Sequence, residues 1–144
     1  MYKSIVVGTD GSETAEVALR RAVALAGLAG ARLHVVSAYE PVPARVGGTQ
    51  PVAEAAEWSI GPHFKVDAVL QRAEHIAREG GVELEVHAPT SDAAAALVDV
   101  AKQQDADLIV LGSRGMHGPR RVLGSVPNKV SHRAPCDVLI VQTD

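Results

Sequence analysis

The chain has 144 residues, of which 47% are hydrophobic, 22% are charged and only 3% are aromatic, and its formal net charge is −3. This length predicts one domain over residues 1–144 that can bury a sufficient core without covalent cross-links. The scarcity of aromatic residues and the mild negative charge argue against nucleic-acid partners, which need stacking platforms or a basic face.

The cysteine count and the lengths of the apolar segments indicate the cellular compartment of the protein. Cys136 is the single cysteine, so the chain has no internal disulfide framework. The N-terminus lacks the apolar region of a signal peptide. The longest uncharged apolar stretch, residues 22–31, is about half of what a membrane span needs. We therefore expect a soluble cytoplasmic protein with no membrane partner.

The first half of the chain alternates between β-branched runs and alanine-rich segments. Hydrophobic periodicity predicts strands at 4–9 and 32–39 and helices at 11–29 and 64–79. Residues 41–62, between the second strand and the second helix, are rich in Pro, Gly and Ala. A long stretch without periodicity in a compact domain is usually functional or mobile, so we predict a flexible flap there, with a short helical turn at 52–58.

The second half continues the same alternation. Residues 82–88 alternate strictly between apolar and polar, which predicts an edge strand with one solvated face. A helix at 92–104 follows, and then an almost wholly apolar strand at 107–112 that we expect at the centre of the sheet. A short helix at 125–133 and a last strand at 137–142 complete the chain.

This order of elements predicts the fold class. Strands that alternate with helices form parallel sheets through right-handed crossovers. We expect an α/β protein with a single doubly wound, five-stranded parallel sheet and helices on both faces. In such folds ligands bind beyond the carboxyl ends of the strands, where the winding reverses.

Two predicted strands end in residues that suit a ligand. The first runs into Gly8-Thr9-Asp10-Gly11-Ser12, and the fourth into a glycine-rich segment over residues 112–125. Glycines let backbone N–H groups approach an anion, and the start of the following helix favours a phosphate. Arg114, Arg120 and Arg121 could neutralise phosphate charge, although exposed arginines on loops usually contact only water. The competing interpretation is that these glycines serve turn geometry alone.

Several other chemistries lack their motifs. The chain has neither the GxxxxGK[ST] phosphate loop nor the GxGxxG dinucleotide fingerprint. It has no HExxH sequence, no histidine pair four residues apart and no cysteine cluster, so we predict no metal site. No catalytic residue is nominated by spacing, and Cys136 beside a buried strand is expected to be an inert thiol.

The motifs resemble those of the universal stress protein family across essentially the whole chain. The resemblance rests on the Gly-Thr-Asp-Gly-Ser start, on Gly112-x2-Gly115-x8-Gly124-Ser125, and on the closing segment Ala134-Pro135-Cys136-Asp137-Val138. It implies the sheet order 3-2-1-4-5 and an adenine-nucleotide-binding module for stress response or signalling, with ATP, with or without Mg²⁺, as the ligand and little or no catalysis. The implied nucleotide-binding residues are Gly8, Thr9, Asp10, Ser37, Ala38, Leu111, Gly112, Arg114, Gly115, Gly124, Ser125 and Val126.

Three alternatives stay open beside ATP binding. Eight residues separate Gly115 from Gly124, one fewer than ATP-binding members of the family usually have. Relatives with similar motifs bind cyclic AMP, so a cyclic nucleotide is the first alternative. The others are slow Mg²⁺-dependent ATP hydrolysis with Asp10 on the metal, and a ligand-free dimeric interaction protein.

The last strand also suggests a partner. Residues 137–142 are apolar with few charged residues, and an uncovered apolar edge strand invites pairing with another chain. Members of the family commonly pair this strand across a two-fold axis. We therefore expect a homodimer formed by antiparallel pairing of residues 137–142.

Overall fold

The computed structural model describes residues 1–39, 52–113 and 125–143, with the backbone alone for residues 52–64. Five strands and four helices alternate along these residues. The strands are β1 Ser4–Gly8, β2 Arg32–Val36, β3 Leu84–His87, β4 Leu108–Gly112 and β5 Asp137–Val141. The helices are α1 Glu13–Ala29, α2 Val52–Glu79, α3 Ala93–Gln103 and α4 Ser125–Arg133.

The strands form one parallel sheet in the order β3-β2-β1-β4-β5, which confirms the predicted fold class and strand order. The two middle strands, β1 and β4, are buried along their apolar residues on both faces. β3 lies at an edge, as its alternating sequence predicts, with Leu84 and Val86 packed inward and Glu85 exposed. The chain winds outward from β1 in both directions, so the winding reverses between β1 and β4.

Two hydrophobic clusters, one on each face, hold the helices to the sheet. One contains Ile5 and Val7 of β1 and the buried faces of α1 and α2. The other contains Val6 of β1 and the buried faces of α3 and α4. Alternate residues of a strand point to opposite faces, so each central strand contributes to both clusters. This arrangement is the expected doubly wound sheet with helices on both faces.

Helix α2 departs from the sequence prediction. It begins at Val52 rather than at residue 64, so residues 52–62 of the predicted flap are helical in backbone. Gly61 and Pro62 suggested a later start, because glycine and proline disfavour a helix interior. The rest of the predicted flap, residues 41–51, lies outside the described part of the chain.

Side-chain caps fix the starts of the two helices that face the switch point of the sheet. Ser12 precedes α1 and accepts a hydrogen bond from the backbone N–H of Ala15 at 3.2 Å. Asp92 precedes α3 and accepts one from the N–H of Ala95 at 3.0 Å. Each cap satisfies a donor that the helix itself leaves free. Across the described residues, no helix is both long enough and apolar enough to span a membrane.

Candidate functional site

A cleft opens beyond the carboxyl ends of β1 and β4, at the point where the winding reverses. Its floor comes from the strand ends and its walls come from the first turns of α1, α3 and α4. The described lining residues are Gly8, Thr9, Asp10, Ser12, Thr14, Ala15, Val36, Ala38, Ala93, Leu97, Leu111, Gly112, Val126 and Pro127. This is the position where open α/β sheets bind their ligands.

The turn between β1 and α1 supplies the polar end of the cleft. The side chain of Asp10 accepts a hydrogen bond from the N–H of Ser12 at 2.9 Å, and the hydroxyl of Thr9 accepts one from the N–H of Gly11 at 3.1 Å. The N–H of Thr9 in turn donates to the carbonyl of Val36 on β2 at 3.0 Å. These bonds hold a carboxylate and hydroxyl groups at the end of the strand, where they face the opening.

Aliphatic side chains form the rest of the cleft. Leu97 of α3 lies against Gly8, where an added Cβ would come within 3.1 Å of a Leu97 methyl carbon. A side chain at position 8 would therefore press on this wall. Val36 and Ala38 come from β2 and the residues after it, and Val126 comes from α4. An apolar slot with a few polar groups at one end suits a flat ring that carries a polar or charged substituent.

Most of the site residues expected from the sequence and described by the structure line this cleft. They are Gly8, Thr9, Asp10, Ala38, Leu111, Gly112 and Val126. Ser37 does not line it: the residue is buried, and its N–H donates to the carbonyl of His87. The alternation of side chains explains the difference, because Val36 and Ala38 face the cleft and the residue between them faces away.

The end of the glycine-rich segment is only partly described. Ser125 is the first residue of α4 and is exposed, and its neighbours Val126 and Pro127 line the cleft although Ser125 does not. Arg114, Gly115 and Gly124 lie outside the described residues. At the end of β4, the hydroxyl of Ser113 accepts a hydrogen bond from the N–H of Thr143 at 3.2 Å, which joins the ends of β4 and β5.

Several residues that line the cleft were not predicted from the sequence. Thr14 and Ala15 belong to the first turn of α1, and Ala93 and Leu97 belong to α3. Their periodicity and capping signals predicted helices, yet nothing in these signals says which strand ends the helices face. The start of each helix beside a parallel sheet is a general place to look for such residues.

The single cysteine lies apart from the cleft. Cys136 precedes β5, is half-buried and packs against the cluster of α3 and α4. Burial, with added contributions from Asp137 and Asp107, raises the pKa of its thiol above the usual range. A raised pKa keeps the thiol protonated near neutral pH and so lowers its nucleophilicity, as expected from the sequence.

Fold and cleft together define a doubly wound α/β protein with a cleft at the switch point of its sheet. The sequence signature described as "Universal stress protein family" matches residues 1–142. The chain therefore belongs to the universal stress protein family. This confirms the resemblance noted in its motifs.

Individual relatives agree with this assignment. The chain is 39% identical to universal stress protein Rv1636 of Mycobacterium tuberculosis over 99% of its own length and 97% of that protein. It is similar to the crystal structure of a universal stress protein in complex with cAMP, with a TM-score of 0.78, 32% identity, and coverage of 99% and 98% of the two chains. It is also similar to the universal stress protein of Archaeoglobus fulgidus in complex with dAMP, with a TM-score of 0.71, 29% identity, and coverage of 97% and 98%.

Proposed function

We propose that this protein binds an adenine nucleotide in the cleft beyond β1 and β4. The observation that carries the proposal is the shape and lining of the cleft, an aliphatic slot whose polar end holds Asp10 and Thr9. The aliphatic walls from Val36, Ala38 and Leu97 would enclose the purine, and the polar end would face the ribose and phosphates. The related structures in complex with cAMP and dAMP support the choice of adenine.

ATP is the nucleotide that we propose first. In this family the glycine-rich segment is expected to hold the phosphates, with Arg114, Gly115, Gly124 and Ser125 as the binding residues and α4 starting at the same place. The Asp10 carboxylate offers the kind of oxygen ligand that Mg²⁺ prefers, so the polar end of the cleft fits a metal-bound triphosphate. Among the described residues the lining is mainly aliphatic, which supports binding rather than hydrolysis.

Cyclic AMP is the second candidate. The segment between Gly115 and Gly124 is one residue shorter than in ATP-binding relatives, and a related structure holds cAMP. A cyclic monophosphate needs fewer phosphate donors than a triphosphate does. It also needs no metal, so Mg²⁺ distinguishes the two ligands.

Parallel calorimetric titrations with ATP and cyclic AMP, each with and without Mg²⁺, test this proposal. We expect saturable binding of one nucleotide per chain, with ATP binding strengthened by Mg²⁺. Stronger binding of cyclic AMP, indifferent to Mg²⁺, would favour the second candidate. Absence of heat and of thermal stabilisation with either nucleotide would leave the ligand-free dimer as the better account.

A matched pair of variants locates the ligand. Ala93 and Ala24 are both exposed alanines on helices, and Ala93 lines the cleft whereas Ala24 does not. Ala93→Trp places a bulky ring at the entrance and should weaken nucleotide binding at least about tenfold, which corresponds to about 1.4 kcal/mol. Ala24→Trp should bind like the unmodified chain. Equal binding by both variants would contradict the proposed location.

We also propose a homodimer that forms through the β5 edge. β5 is the last strand of the sheet, and within the described residues it pairs on one side only, with β4. Val138, Leu139 and Ile140 are half-buried rather than fully covered. An exposed strand edge with apolar side chains suits antiparallel pairing with a second copy. We also propose that residues 1–144 form one domain and that the protein works in the cytoplasm.

A further inference from the structure

A cluster of three metal-ligating side chains lies on β2 and β3, and none of the three lines the nucleotide cleft. Strand pairing places His34 of β2 opposite Glu85 of β3, and Val36 opposite His87. Because side chains two residues apart share a face, His34, Glu85 and His87 all project on the side of the sheet that carries α3. No metal site was predicted from the sequence, since His34 and His87 are 53 residues apart along the chain.

The distances between these side chains match those of ligands around one ion. Nδ1 of His34 lies 3.1 Å from Nε2 of His87 and 3.6 Å from an Oε atom of Glu85. One ligand atom from each of the three residues lies within 4.8 Å of the other two. Two nitrogen ligands of a tetrahedral zinc ion, each about 2.0–2.1 Å from the metal, lie about 3.3 Å apart.

The burial of the cluster also suits a metal. His34 is 1% exposed, so packing holds its ring in place. His87 is half-buried, and Glu85 is exposed and reaches solvent. Two imidazoles and one carboxylate leave a fourth position for water or another ligand.

A plain hydrogen bond is the competing explanation for the close approach of the rings. In that case one imidazole donates an N–H from the facing nitrogen and the other accepts it. In a metal site both facing nitrogens offer lone pairs, so His34 carries its proton on Nε2 and His87 on Nδ1. The negative charge of Glu85 favours a cation between the rings, whereas a hydrogen bond between neutral rings does not require it.

We propose that His34, Glu85 and His87 form a binding site for Zn²⁺ that joins β2 to the edge strand β3. Imidazole and carboxylate ligands suit zinc better than they suit Mg²⁺ or Ca²⁺, which prefer oxygen alone. A bound ion stabilises the folded chain, because the three ligands come together only when the strands pair. The site is separate from the proposed nucleotide function and does not depend on it.

Titration of the metal-free full-length protein with ZnCl₂ tests the proposal. Calorimetry should show one Zn²⁺ per chain at this site, and the melting temperature should rise with Zn²⁺. His87→Gln removes a direct ligand that is only half-buried. Loss of a residue that merely hydrogen-bonds to a ligand costs about 10–100-fold in metal affinity, so we expect this variant to lower the zinc affinity by more than that. Glu85→Gln should weaken the binding as well. Addition of Mg²⁺ should produce neither effect.

A matched control separates this site from other surface histidines. His75 of α2 is exposed and lies 3.4 Å from Glu79, so it offers a His–Glu pair elsewhere. His75→Gln should retain the zinc affinity and the melting shift. Circular dichroism and the melting temperature without zinc verify that each variant folds. No zinc binding by the folded chain, or equal binding by His87→Gln and the unmodified chain, would overturn the proposal.

Discussion

Glu16 of α1 pairs with two arginines, and one of them, Arg72, belongs to α2. The Glu16 carboxylate accepts hydrogen bonds from Arg20 of the same helix at 3.0 and 3.2 Å and from Arg72 of α2 at 3.1 and 3.4 Å. The hydrogen bond from Arg72 is the largest contribution that lowers the pKa of Glu16 below its ordinary value of 4.5. The charged carboxylate is therefore favoured in the folded state.

This shift predicts a specific pH dependence of stability. A carboxyl group with a lowered pKa in the folded state stabilises the protein above its unfolded pKa, and that contribution is lost as the pH falls through the folded pKa. Glu16→Gln should lower the free energy of unfolding by at most about 1 kcal/mol at neutral pH, since the pair is partly solvated. Urea unfolding at neutral pH and at acidic pH below the ordinary pKa of 4.5 should show the difference diminish as the carboxylate becomes protonated.

Two single variants divide this effect between the arginines. Arg72→Gln should remove more of the pH dependence than Arg20→Gln does, because Arg72 makes the larger contribution to the lowered pKa. Both side chains are about half exposed, so both variants should fold. An equal loss in the two variants would contradict the assignment of Arg72 as the main partner.

Two glycines flank helix α1, and we expect their substitution by alanine to lower the free energy of unfolding by different amounts. Gly30 ends the helix with φ +66°, and an added Cβ there meets nothing within 4 Å. Gly11 precedes the helix with φ +84°, and an added Cβ would lie 2.5 Å from a methyl carbon of Val69. Gly30→Ala should cost about 1–2 kcal/mol from the left-handed backbone alone. Gly11→Ala should cost more, because Val69 must also move.

Denaturant unfolding of the two variants measures this difference. Both substitutions add the same methyl group, so their effects on the unfolded chain are similar. Greater destabilisation by Gly30→Ala than by Gly11→Ala would mean that the contact between the β1–α1 turn and α2 is looser than the structure shows.

At the scale of whole elements, the strands were the most predictable part of the chain. The apolar run in β4 predicts a central buried strand and the alternation in β3 predicts an edge, and the sheet has both. The predicted start of α2 was too late, because Gly61 and Pro62 disfavour a helix interior and the prediction relied on this local preference.

The functional residues were less predictable because they depend on packing and register. Gly8, Thr9 and Asp10 follow a strand directly, so the sequence alone indicates their place at the cleft. Leu97 and Ala93 reach the cleft only through the packing of α3 on the sheet. The His34–Glu85 pairing depends on how β2 and β3 align, and no local pattern in either strand determines that register.

For the whole molecule, the open β5 edge predicts a dimer in solution. Light scattering at micromolar concentration should give a mass twice the 15.0 kDa of one chain, because paired edges bury Val138, Leu139 and Ile140. Dilution should shift the mass downward if the pairing is reversible. A mass of one chain at micromolar concentration would contradict the proposed pairing.

The central claim, that an adenine nucleotide occupies the cleft beyond β1 and β4, is tested most directly by mapping amide chemical shifts on an isotope-labelled chain. Addition of ATP or cyclic AMP should shift the amides of Ala38, Gly112 and Val126, which line the cleft. Val69 and Arg72, which line an adjoining groove between α1 and α2 and do not line the cleft, should stay unchanged. Shifts confined to that groove, or no shifts at saturating nucleotide, would contradict the account.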